Sequence, residues 1–200
     1  MNRVAIIVGS HRDKSQSLKV GQMVEQKLIA HDACASAVLI DLASLELPFW
    51  QENYSEKEQK AIDRTRDLLV NADAFVLVVP EWNGMVPSAM KNLFLLYSAN
   101  EFAHKPALIA SVSAGIGGTY PVTEMRSTTY KNSRICYIPE HLIFRDITTI
   151  FNDSDEDDKE AERYMSDRTD FCLDYLTLYS DALKAVRDHG PSNPEFGNGM

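Results

Sequence analysis

The chain has 200 residues, 44% of them hydrophobic, which suffices for one well-packed domain and hardly for two. A net charge of -9 with an isoelectric point near 5 gives a field that repels nucleic acid and anionic membrane surfaces, so a soluble protein acting on small molecules is expected. Cys34, Cys136 and Cys172 are an odd, scattered set with no CxxC pair, a poor basis for a disulfide framework or a metal site, which points to a reducing cytoplasm.

The first apolar run, residues 4–8, is too short for a signal peptide and passes straight into Gly9-Ser10, so it reads as a first strand, with a helix over 18–29. The alternation then repeats: strand 37–42 and helix 58–70, strand 74–79 and helix 88–97, strand 107–112 and helix 120–130. Such β/α alternation predicts a parallel sheet covered by helices on both faces. Runs 4–8 and 74–79 are apolar without alternation, as strands buried on both sides are, and should be neighbours. A fifth strand is expected within 135–149, where Pro139 leaves open one strand or two short extended pieces. The acidic stretch 152–158 reads as a solvated loop. It opens like a calcium loop at Asp153, Asp155 and Asp157, but Asp158 stands where the sharp-turn glycine is required and Tyr164 where the bidentate glutamate should be. From 158 to 187 apolar residues recur at helical spacing and predict a long last helix, with Cys172, like Cys34, a core residue. Residues 1–190 are therefore expected as one domain and 191–200 as a flexible tail. No stretch approaches the ~20 apolar residues of a membrane span.

Three strand-to-helix turns carry the chemistry. After the first strand comes Ser10-His11-Arg12-Asp13-Lys14-Ser15-Gln16-Ser17, rich in hydroxyls with one arginine, at a helix N-terminus whose free amides and dipole favour a phosphate. It has neither GxxxxGK[ST] nor GxGxxG spacing, and Ser15 or Ser17 could simply cap the helix. After the third strand, Pro80-Glu81-Trp82-Asn83-Gly84 continues through Pro87 to Lys91-Asn92, a rigid turn with a flat aromatic at the carboxyl end of a central strand, where open α/β sheets bind ligands. A plain turn with Trp82 packed down is the alternative. After the fourth strand, Ser113, Gly115, Gly117 and Gly118 form a cluster that lets a planar ligand approach the backbone, or merely a tight connection.

Taken together and in register, these three turns resemble the NADPH-dependent FMN reductase family of flavodoxin-like proteins, over roughly residues 1–150. The resemblance implies a flavodoxin-like three-layer α/β sandwich with a five-stranded parallel sheet in the order 2-1-3-4-5. It implies an FMN whose phosphate is bound by Ser10, Arg12, Ser15 and Ser17, and whose ribityl chain and one ring edge are held by Pro80, Glu81, Trp82, Asn83 and Gly84. Ser113, Gly115 and Gly118 would meet the pyrimidine end, with Gly117 in the same cofactor-binding set. It further implies NADPH or NADH as electron donor, a small-molecule acceptor such as a flavin or quinone, and a homodimer or homotetramer. Trp82 and Ser17 depart from the tyrosine and asparagine common in the family. Because the cofactor carries the chemistry, no acid–base residue is nominated and no metal is expected. Two alternatives stay open at this point: a flavodoxin-type electron carrier, against which Arg12 argues, and a flavin-free interaction module.

Overall fold

The computed structural model describes residues 1–197, so the last three residues of the expected tail lie outside the described part. Its strands are β1 (Asn2–Val8), β2 (Cys34–Asp41), β3 (Ala74–Pro80), β4 (Pro106–Val112) and β5 (Cys136–Phe144). They form one parallel sheet in the order β2-β1-β3-β4-β5, the flavodoxin-like order. Strands β3 and β4 are buried at every position, and β1 is buried everywhere but Arg3, because helices cover both faces and leave these strands no polar side. Cys34 opens β2 and is buried, in a strand instead of the helical pattern in which the sequence places it.

The helices are α1 (Gln16–Ile29), α2 (Glu56–Asn71), α3 (Ser88–Leu96), the single turn α4 (Ala99–Phe102), α5 (Thr119–Thr128), the single turn α6 (Tyr130–Ser133) and α7 (Lys159–His189). Alternation along β1 sends Val4, Ile6 and Val8 to one face, where Val20, Val24 and Leu28 of α1 meet Cys172, Leu173 and Leu176 of α7. Ala5 and Ile7 point to the other face, against Ile62 and Leu69 of α2, Met90 and Leu93 of α3, and Val122 and Met125 of α5. Each such leucine, isoleucine or valine contributes roughly 1.5–3 kcal/mol of burial, so the two cores hold the sheet flat between them.

Helix boundaries follow local chemistry. Ser55 accepts from the Glu58 amide while the Glu58 carboxylate accepts from the Ser55 amide, a reciprocal box that starts α2. Asp158 caps α7 through the Ala161 amide at 3.0 Å.

The fifth strand is continuous. Its register against β4 slips between Ala107 and Ile109, where β5 carries Ile138, Pro139 and Glu140 opposite Leu108. An edge strand tolerates this, because the proline lacks the amide that a central ladder would demand. The acidic stretch also departs from a solvated run at one residue. The Asp157 carboxylate is buried, accepts from the Asn152 amide at 2.8 Å and from the Asn152 side chain at 2.6 Å, and is held below its usual pKa chiefly by that side-chain bond.

Candidate functional site

The turns after β1, β3 and β4 converge at the carboxyl edge of the sheet, as the sequence order requires. Ser15 caps α1 by accepting from the Leu18 amide at 3.2 Å, so its hydroxyl is engaged within the helix. Gln16 and Ser17, whose amides lie at the helix start before its hydrogen-bond ladder begins, line a cavity of about 100 Å³ with Ser10, Arg12, Lys14 and Ser15. Ser10 and Ser17 are buried, while Arg12 and Lys14 are exposed. Buried hydroxyls, free helix amides and two mobile cations match the needs of an organic phosphate.

The turn after β3 is a two-residue reversal. Trp82 and Met85 exchange backbone hydrogen bonds of 3.0 and 2.9 Å around Asn83 and Gly84, both at positive φ. Trp82 is half-buried and stands clear of both cores. With Asn83, Arg12, His11 and Glu81 it lines a second cavity of about 540 Å³, within the size range of cofactor pockets. Arg12, Glu81 and Trp82 line both cavities, so the two are neighbours that share these side chains.

Glu81 serves the loops themselves. Its carboxylate accepts from the Gly118 amide at 2.6 Å, and its other oxygen lies where a side chain on Gly117 would have to go, 2.6 Å from that glycine's would-be Cβ. Gly118, at φ 100°, starts α5 in a conformation that L-residues avoid. Arg145 donates to the Gly117 carbonyl at 3.0 Å, and Ser113 holds the Gly115 amide at 3.3 Å. Gly115 opens on free space. The β3 and β4 turns are thus one braced unit facing the phosphate cavity.

Each expected site residue lies in this region. Lys91 and Asn92, from the same motif, do not join them: Lys91 pairs with Glu124 of α5, and Asn92 is buried with its side chain turned to the β2–α2 connection. Three further residues contribute, of which Lys19 and Arg145 carried no sequence signal and His11 lies within the phosphate turn. His11 packs edge-on against Trp82 at 4.4 Å between centroids. Lys19 of α1 donates to Ile147, Ile150 and Asn152 at 2.7–2.8 Å and so fixes the segment beside the phosphate cavity; burial lowers its pKa. Arg145 lies on the connection after β5.

The model of the NADPH-dependent FMN reductase family matches residues 2–148. The chain belongs to this family. It is accordingly an NAD(P)H-dependent flavoprotein oxidoreductase, with FMN as cofactor and NAD(P)H as electron donor. An NADPH azoreductase of Bacillus sp. is 29% identical over 152 residues, covering 74% of this chain and 82% of the relative. A quinone reductase of Pseudomonas putida is 30% identical over 122 residues, covering 58% of this chain and 62% of the relative. Among solved structures, a flavoenzyme NAD(P)H:(acceptor) oxidoreductase from Paracoccus denitrificans has the same fold, with a TM-score of 0.65 at 20% identity over 92% of this chain and 98% of that one. Among the described residues no helix is long and apolar enough to cross a membrane.

Proposed function

We propose that Ser10, Arg12, Ser15 and Ser17 hold the FMN phosphate, that Pro80, Glu81, Trp82, Asn83 and Gly84 line its ribityl chain and ring edge, and that Ser113, Gly115, Gly117 and Gly118 flank the remaining edge. The observation that carries this is that two neighbouring cavities share Arg12, Glu81 and Trp82, one suited to a phosphate and the other sized for a ring system. Bound FMN supplies two-electron transfer between NAD(P)H and an acceptor. The chain's own part is to anchor the phosphate with one guanidinium and helix amides, to present Trp82 as a flat wall, and to keep the two glycine-bearing turns rigid through Glu81. No side chain at the site needs to exchange a proton for this.

The acceptors are small, flat molecules of the quinone or azo type, a reading supported by the activities named for the two curated relatives. Residues 1–190 form the single FMN-binding domain, with 191–200 as an appendage, and the protein works in the cytoplasm. A homodimer or homotetramer is supported by exposed Leu95 on α3 and by exposed Phe171, Tyr175 and Leu178 on α7. Light scattering tests the assembly.

The activity is tested on FMN-loaded protein under anaerobic conditions, adding NADPH or NADH and then 1,4-benzoquinone. Bleaching of the flavin band by the nucleotide and its return with the quinone is expected. A bound flavin that resists both nucleotides would overturn the reading in favour of an electron carrier.

A further inference from the structure

Beside His11 lies a third cavity of about 190 Å³, lined by His11, Leu42, Leu47, Phe49, Ala89 and Asn92 together with Ser88. His11 lines both this cavity and the one assigned above to the flavin ring edge. Its outer rim is the β2–α2 connection, where Phe49 is 74% exposed and Trp50 56% exposed, two large aromatics that the core does not use. The connection is held open by one side chain. Buried Asn92 of α3 accepts from the Trp50 amide and donates to the Pro48 carbonyl, both at 2.9 Å, so Phe49 is presented between two fixed backbone points.

The lining selects the occupant. It contains no lysine, arginine, aspartate or glutamate, so the phosphates of a pyridine nucleotide would find no counter-charge there. A space of about 150 Å³ is enough for a benzene ring, and this one, uncharged and walled in part by Leu42, Leu47, Phe49 and Ala89, is slightly larger. It also adjoins the redox site directly through His11.

We propose that this pocket is a specificity subsite that takes an uncharged aryl substituent of the electron acceptor, with Phe49 on its rim and His11 as the side chain it shares with the site of the flavin edge. The proposal rests on the flavin placement given above. It makes the enzyme prefer acceptors with a second aromatic ring over compact ones, without any change at the cofactor.

Two readouts test it on the FMN-loaded protein. The first is titration with 4-(hydroxymethyl)azobenzene, an uncharged dye that quenches tryptophan emission; of the chain's two tryptophans, Trp50 follows Phe49 of the pocket and Trp82 packs against His11, which lines it. The second is the ratio of kcat/KM for phenyl-1,4-benzoquinone to that for 1,4-benzoquinone. Ala89→Leu, which fills the pocket, is expected to weaken dye binding and lower the ratio about tenfold each. Phe49→Ala, at an exposed loop position that folding does not depend on, is expected to lower both about threefold. Dye binding and ratio within twofold of wild type in both variants would overturn the proposal. So would a rise in KM for NADPH in Ala89→Leu with the acceptor ratio unchanged, which would assign the pocket to the nucleotide. The dye titration needs no turnover, so a flavin that fails to bleach would sink the oxidoreductase reading while the titration still decides the pocket.

Discussion

A phosphate placed at the start of α1 meets one guanidinium, that of Arg12, beside the buried hydroxyls of Ser10 and Ser17. Arg12 supplies a planar fork that Lys14, a point charge on a flexible stem, does not replace. Arg12→Ala with Ser17→Ala should therefore abolish FMN retention through gel filtration while leaving the circular dichroism of the fold intact; retained flavin would sink the phosphate assignment. The glycine at 118 is under a different constraint. A side chain there would adopt a positive φ and overlap the Cγ2 of Ile143 on β5. Gly118→Ala should cost about 2–4 kcal/mol in urea unfolding, the sum of a left-handed backbone penalty and an overpacked contact. A loss below half a kcal/mol would mean that the turn relaxes freely and that Glu81 does not brace it.

At the scale of elements, the strand-and-helix alternation was legible because parallel strands buried on both faces must be apolar, as β3 and residues 4–8 of β1 are. The edge strand β5 was harder to delimit. Its proline is compatible with a strand only because the register slips beside it, and sequence alone does not show where a ladder slips. The three site turns were readable from glycine, proline and hydroxyl placement. The role of Asn92, by contrast, depends on a connection 42 and 44 positions away, and no local pattern encodes that pairing. Nor does one encode the end of α2, where buried Lys105 donates to the carbonyls of Leu69 and Val70 at 2.9 Å each.

Burial is the main cause that lowers the pKa of Lys105 to about 8, with Arg187 adding to the effect. Unfolded, the same lysine holds its proton to about 10.4. Between those values the unfolded chain binds more protons than the folded one, so this group's contribution to stability rises with pH from about 8 to 10.4 and is flat below. The amine still donates to both carbonyls once neutral. Wild-type stability minus that of Lys105→Met should increase over this window when urea midpoints are measured at pH 7.5, 9 and 10. The subtraction removes Cys172, whose thiol burial pushes up to about 11 and which works in the opposite direction. A pH-independent difference would show that Lys105 stays charged or stays hydrated.

On the scale of the whole molecule, the net charge of -9 sets how an anionic donor arrives. Arg12 and Lys14 would attract NADPH in an empty site, but a bound FMN phosphate neutralises them, leaving the repulsive field of the surface to dominate at long range. Raising the ionic strength from about 10 to 150 mM shortens the screening length from about 30 to 8 Å. The kcat/KM for NADPH should then rise severalfold, while that for an uncharged quinone stays constant. A fall with added salt would place further cations along the nucleotide's path.

Asn92 joins α3 to a connection that leaves the edge strand β2 and contributes no residue to the turns after β1, β3 or β4. Substitutions at exposed Phe49 and Trp50 therefore leave the residues proposed to hold FMN in place, whereas Leu45, Leu47 and Tyr54 of the same connection pack against the core. With the acceptor subsite placed as proposed, diet and machinery are separable heritable traits: one is edited at a peripheral loop while the other is inherited unchanged.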